Sequence, residues 1–174
     1  MWLVLPRQPA PERSAASSIA VPREEPPDVS QLASPEAQLL LANWNYDRQN
    51  WTHAIEHYQQ AISLGCDNAD VRTDLGNCYR FTAEPQKALA QYQVAQQQNP
   101  RHEKSLLNTA GLYGEVLHDH TKAAELWREY LRRFPVSDGA ARARQFLAEL
   151  ERHETEQTAA LKRLISDDFA REPR

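Results

Sequence analysis

Glycine is scarce in this chain, with 5 in 174 residues and none before Gly65. That scarcity leaves no G-x-x-x-x-G-K-[ST] or G-x-G-x-x-G loop to cradle a phosphate, and no G-x-S-x-G nucleophile turn. An extended parallel α/β sheet, which needs many strand–loop switches, is not expected either. Cysteine is nearly absent: Cys66 and Cys78 cannot build a disulfide-rich scaffold, and they lack the paired C-x-x-C spacing of a zinc site. With Cys66 in a turn and Cys78 two turns into the next helix, they lie roughly 13 Å apart. That is beyond the ~7 Å Cα limit for a bridge. Free thiols fit a reducing, cytoplasmic setting. Positive charge is not in excess, since 20 Lys+Arg face 24 Asp+Glu and the net charge is −4, so no nucleic-acid partner is expected. No run approaches the ~20 apolar residues that span a bilayer.

Proline is unevenly placed: 7 of the 11 fall in residues 1–35. Residues 1–33 combine six of these with a Ser/Ala run and no sustained periodicity, which reads as a disordered or polyproline-like linker. Met1-Trp2-Leu3-Val4-Leu5-Pro6 lacks the charged and long apolar regions of a signal peptide. An alternative expectation makes it the exit end of a membrane anchor, the domain then lying outside the bilayer as an envelope assembly factor.

Order is expected from Ser34-Pro35-Glu36, with serine as cap, proline in the first turn and glutamate complementing the helix dipole. From there the chain repeats. Ala42, Gly76 and Ala110 are 34 apart; Ala54, Ala88 and Ala123 follow at 34 and 35, as do Tyr58, Tyr92 and Trp127, and Ala61, Ala95 and Tyr130. Cys66, Pro100 and Pro135 close the units. Within each, spacings of three and four place the apolar residues on one helical stripe, giving helix, turn, helix. Asn50, Glu84 and Asp119 stand before the second helices as caps, and the extra residue of the third unit falls between Tyr113 and Ala123. Beyond Pro135, with Ser137 or Asp138 as cap, Ala143, Phe146, Leu147 and Leu150 form a further stripe. Leu161, Leu164, Ile165 and Phe169 continue it as either one long helix or a second short one.

This pattern resembles the tetratricopeptide repeat, a 34-residue helix–turn–helix with W-x2-L-G-x2-Y…A-x3-F…P. The likeness covers residues 35–137. Arg72, Gln38, Asn45, Thr109 and Cys66 depart from it locally. It implies an all-α solenoid of three repeats with a C-terminal capping helix. The expected division is a linker at 1–33, the repeat domain with its cap at 34–153, and a helical extension at 154–174. A monomer is expected, with weak dimerisation through the C-terminal helix as the alternative.

His53-Ala54-Ile55-Glu56-His57 spells H-x-x-E-H, an inverted zinc-peptidase signature. Ala54, Tyr58 and Ala61 belong to the repeat core, however, so the two histidines face outward with no third ligand. His118-Asp119-His120 reads as a polar turn. Neither metal, cofactor nor catalysis is expected.

The resemblance implies instead a groove, built from the first helices, that binds a protein or peptide partner. Groove candidates are Leu39, Asn43, Tyr46, Asp47, Thr73, Asn77, Arg80, Phe81, Lys104, Leu107 and Asn108. Tyr46, Phe81 and Leu107 would give apolar contact, and Asn43 and Asn77 would read a peptide backbone with donor and acceptor. One branch of the family clamps the carboxylate of chaperone tails with two asparagines and three cations. Asn43 and Lys104 match that clamp; Leu39, Asp74 and Asn108 do not, and Asp74 would repel a carboxylate. The expected function is therefore a non-catalytic adaptor or assembly scaffold with some other partner.

Overall fold

The computed structural model describes residues 25–170, in which seven helices and no strand occur. They are α1 (Ser34–Asp47), α2 (Trp51–Ser63), α3 (Ala69–Phe81), α4 (Pro85–Gln98), α5 (Glu103–Glu115), α6 (His120–Arg133) and α7 (Gly139–Ala170). Each helix packs on the next, and α3 also touches α5, so the first helices of the units share one layer. The expected linker lies mostly outside the described residues. None of the described helices is long and apolar enough to cross a membrane.

The repeat spacing selects the core. Ala42, Ala54, Ala61, Ala88, Ala95, Ala110 and Ala123 are buried along with Tyr58, Tyr92, Trp127 and Tyr130. Small residues at these crossings let the helices approach, and the aromatic rings fill the space between them. Gly76 marks a tight crossing: a Cβ there would lie 2.5 Å from the Tyr92 ring. One apolar cluster joins the first two units and takes in Leu112 of the third. A second joins α5, α6 and the start of α7 through Leu106, Trp127, Tyr130 and Ala143.

The turns repeat as well. Residues 48–50 and 82–84 join the helices of the first two units, and 116–119 join those of the third, which places the extra residue in that turn. Gln49, Ala83 and His118 adopt φ of 60°, 58° and 54°, one left-handed residue at the same place in each unit. This backbone reversal brings the chain into the second helix. Of the three expected caps, only Asp119 accepts a capping hydrogen bond, from the Lys122 N–H at 2.9 Å. Asn50 and Glu84 make no side-chain cap bond. Ser34 is already helical, with Ala33 before it as the capping residue. The first helix thus begins one residue earlier than expected, its first carbonyl bond running from Ala37 N–H to Ala33 at 2.8 Å.

Of the two arrangements left open for the C-terminus, the structure has the single helix. α7 runs 32 residues without a break, packing on α6 at its start, and residues 151–160 are exposed.

Candidate functional site

The layer made by α1, α3 and α5 leaves one face uncovered by the second helices. Steps of four, three and four along each helix mark it: Glu36, Leu40, Asn43 and Asp47 on α1; Asp70, Asp74, Asn77 and Phe81 on α3; Lys104, Asn108, Gly111 and Glu115 on α5. Between the first two helices and the start of the third lies a recess of about 580 Å³, lined by Leu39, Asn43, Asp70, Val71, Asp74 and His102 among others.

Asparagines tie this face to the second helices. The Tyr58 hydroxyl donates to Asn43 Oδ1 at 2.8 Å, and 34 residues on the Tyr92 hydroxyl donates to Asn77 Oδ1, again at 2.8 Å. The Asn77 oxygen also accepts from Asn108 Nδ2 at 2.8 Å, while its own Nδ2 donates to the Tyr46 hydroxyl at 3.1 Å. Asn77 thereby joins all three units. Burial pushes the Tyr58 and Tyr92 phenols upward, which keeps both as proton donors.

Solved structures share this fold. The TPR domain of Arabidopsis OM64 gives a TM-score of 0.59 at 22% identity, over 67% of this chain and 98% of that one. The TPR2B domain of yeast Sti1, in a complex with pHsp70, gives 0.62 at 14% identity, over 69% and 98%. The second TPR domain of human RPAP3, in complex with the HSP70 peptide SGPTIEEVD, gives 0.58 at 15% identity, over 68% and 95%. The chain has the tetratricopeptide-repeat fold. No protein-family model and no curated protein matches the sequence.

On this repeat fold the expected groove residues divide into free and engaged groups. Asn43 and Asp47 are exposed, Leu39 is half-buried in the recess, and Phe81 is 55% exposed. Phe81 stacks on Trp51 with ring centroids 4.4 Å apart, and Trp51 meets the edge of Tyr46 at 5.3 Å. Lys104 is exposed, with Asp70 3.8 Å away. Arg80 is engaged, its guanidinium 2.6 Å from Glu115. Leu107 is half-buried against the second core. Thr73 does not line the face: it is 1% exposed and its hydroxyl donates to the Ala69 carbonyl at 2.7 Å. Asn77 makes three hydrogen bonds within the protein, whereas Asn43 accepts one, from Tyr58. The Nδ2 of Asn43 makes no hydrogen bond among the described residues.

The third repeat departs from the other two. Gly111 replaces asparagine and Trp127 replaces tyrosine, and the buried indole N–H has no hydrogen-bond partner among the described residues. Arg142 from α7 occupies the space a side chain at Gly111 would take, with its guanidinium 5.8 Å from the Trp127 ring centre. The same guanidinium pairs with Glu115, linking α7 to Arg80 of α3. Neither Glu115 nor Arg142 was among the expected groove residues. Glu115 falls 34 residues after Phe81, so the repeat spacing could have placed it. Arg142 lies beyond the repeats, where spacing gives no signal.

Asp74 is the electrostatic centre of the face. It is half-buried and has no hydrogen bond or ion pair among the described residues. Burial pushes its carboxyl up to about 6; Lys104 and His102 oppose the rise, and Asp70 and Asp47 add to it. The H-x-x-E-H segment lies elsewhere. His53 and Glu56 are exposed on α2, and His57 Nδ1 is 2.7 Å from Gln38 Oε1. No three metal-ligating side chains converge among the described residues.

Proposed function

We propose that this protein is a non-catalytic interaction module whose uncovered face on α1, α3 and α5 binds a segment of a partner protein. The observation that carries the reading is the exposed Phe81 stacked on Trp51, on the same face as the open recess containing Asn43 and Asp74. A large apolar ring left in water beside a polar recess suits a partner that contributes both contact types. The solved neighbours in complex with Hsp70 or its peptide support a peptide-sized occupant for the fold.

The partner is not a chaperone tail of that type. Its carboxylates would meet Asp74, and Leu39 and Asn108 stand where that clamp has cations. Titration with SGPTIEEVD is therefore expected to give no saturable binding. The test of the general reading is affinity capture with crosslinking in the native host, comparing the full chain with Phe81→Ala and with His53→Ala on α2. Partner recovery should fall with Phe81→Ala and persist with His53→Ala. Equal recovery by both variants, with helicity intact, would remove the assignment.

A further inference from the structure

We infer that the uncovered face takes a partner segment that places a lysine or arginine side chain over Asp74 and an apolar side chain against Phe81. The inference rests on the reading above and specifies the chemistry of the occupant.

The three exposed stripes carry Glu36, Asp47, Asp70, Asp74 and Glu115 against a single cation, Lys104. Glu115 is already paired with Arg80 and Arg142. Lys104 contacts Asp70, which also accepts from His102 at 3.2 Å, and acts on Asp74 from beyond ion-pair distance. Among the described residues Asp74 and Asp47 are thus left without an opposite charge in contact, and Asp74 is the one held in a recess. A carboxylate withdrawn from water without a partner costs free energy that an incoming cation can recover.

A second, unrelated feature lies on the same helix. Phe81 is seven residues after Asp74, which is about 10 Å along one face of α3. Its ring is exposed, and the Trp51 stack behind it fixes its orientation. The face thus offers the Asp74 recess at one end and, at the other, the Phe81 ring, with Asp47 and Glu115 at the matching positions of the neighbouring repeats. In an extended segment, about 10 Å corresponds to a basic and an apolar residue roughly three positions apart. A segment with that pattern satisfies both ends at once; an acidic or purely apolar one satisfies at most one.

The test is selection of a random dodecapeptide phage library on the full chain, followed by affinity measurement on synthetic versions of the enriched peptides. Enriched peptides should carry Lys or Arg with an apolar residue close by. Their affinity should fall about tenfold with Asp74→Asn, fall with Phe81→Ala, and weaken from pH 7.5 to pH 5 as the carboxyl takes up its proton. Circular dichroism should report unchanged helicity for both variants. Peptides without a basic residue, or affinity unchanged by Asp74→Asn, overturn the inference. The binding face itself stands in that case if Phe81→Ala still weakens them. Peptides insensitive to both variants, or no enrichment at all, remove the underlying reading too. Competition by rising concentrations of the chain itself would make a second copy the occupant, and also overturn the inference.

Discussion

The Tyr92 hydroxyl donates to Asn77 Oδ1 at 2.8 Å, and that oxygen also accepts from Asn108 of the next repeat. A residue on the candidate binding face is thus first a structural link between repeats. Its loss should be felt in stability before binding. Asn77→Ala leaves the buried Tyr92 hydroxyl unpaired and also strips partners from Tyr46 and Asn108. A cost of about 2–3 kcal/mol is expected. Asn43→Ala removes only the partner of Tyr58 and should cost about 1 kcal/mol. Urea unfolding of the two variants checks the order; equal losses would contradict it.

Gly76→Ala tests the crossing of α3 with α4. The added methyl would meet Tyr92 carbons at 2.5–2.7 Å, and the ring is pinned by its bond to Asn77. Destabilisation of about 1–3 kcal/mol is expected, even though alanine is the better helix former. A rise in thermal midpoint would contradict the crossing.

The third repeat can be made to resemble the others. Trp127→Tyr alone introduces a hydroxyl with no asparagine opposite it and leaves space from the lost indole. Adding Gly111→Asn supplies the acceptor that Asn43 and Asn77 provide elsewhere, with Arg142 swinging outward. The double variant should recover about 1 kcal/mol beyond the sum of the single effects. Strict additivity in a double-mutant cycle would show that the Tyr–Asn pair is not transferable.

Asp74 also carries a pH signature. Its carboxyl lies near 3.9 in an unfolded chain and at about 6 in the fold. The folded state holds the extra proton between these values, so its stability contribution falls as pH rises from about 4 to about 6. The penalty is complete above that range. Asp67, lowered by its hydrogen bonds from Arg72, runs the other way and loses stability as pH falls. Glu115, which Arg142 and Arg80 lower against desolvation, does the same. Comparison with Asp74→Asn isolates the first effect. The variant should gain about 1–2 kcal/mol at pH 7, after allowance for solvent screening, and nothing at pH 3.5. Equal gains at both pH values by urea unfolding would contradict the placement of Asp74.

The helix order, the repeat register and most of the core were legible because they depend on spacing alone. A stripe of Ala42, Ala54, Tyr58 and Ala61 and its copies at the next steps of 34 already dictate which sides of the helices meet. The binding face was legible only in outline. Thr73 was placed on it one position out of register, whereas its neighbour Asp74 lies on the open stripe. Asn77 looked free because its partners Tyr46, Tyr92 and Asn108 lie 15 to 31 residues away, and no local pattern reports a hydrogen bond across repeats. Arg142 was invisible for the same reason. The continuity of α7 could not be read from its apolar stripe, because a helix that bends back and one that runs on carry the same local periodicity.

The central claim is that partner segments occupy the face of α1, α3 and α5. Amide chemical-shift mapping of the isotope-labelled chain, titrated with a dodecapeptide enriched on it, tests this most directly. Shifts and line broadening are expected at Asn43, Asp47, Asp74, Phe81 and Asn108, with α2 and α4 little changed. Perturbations confined to α2, α4, α6 or the exposed part of α7 would contradict it.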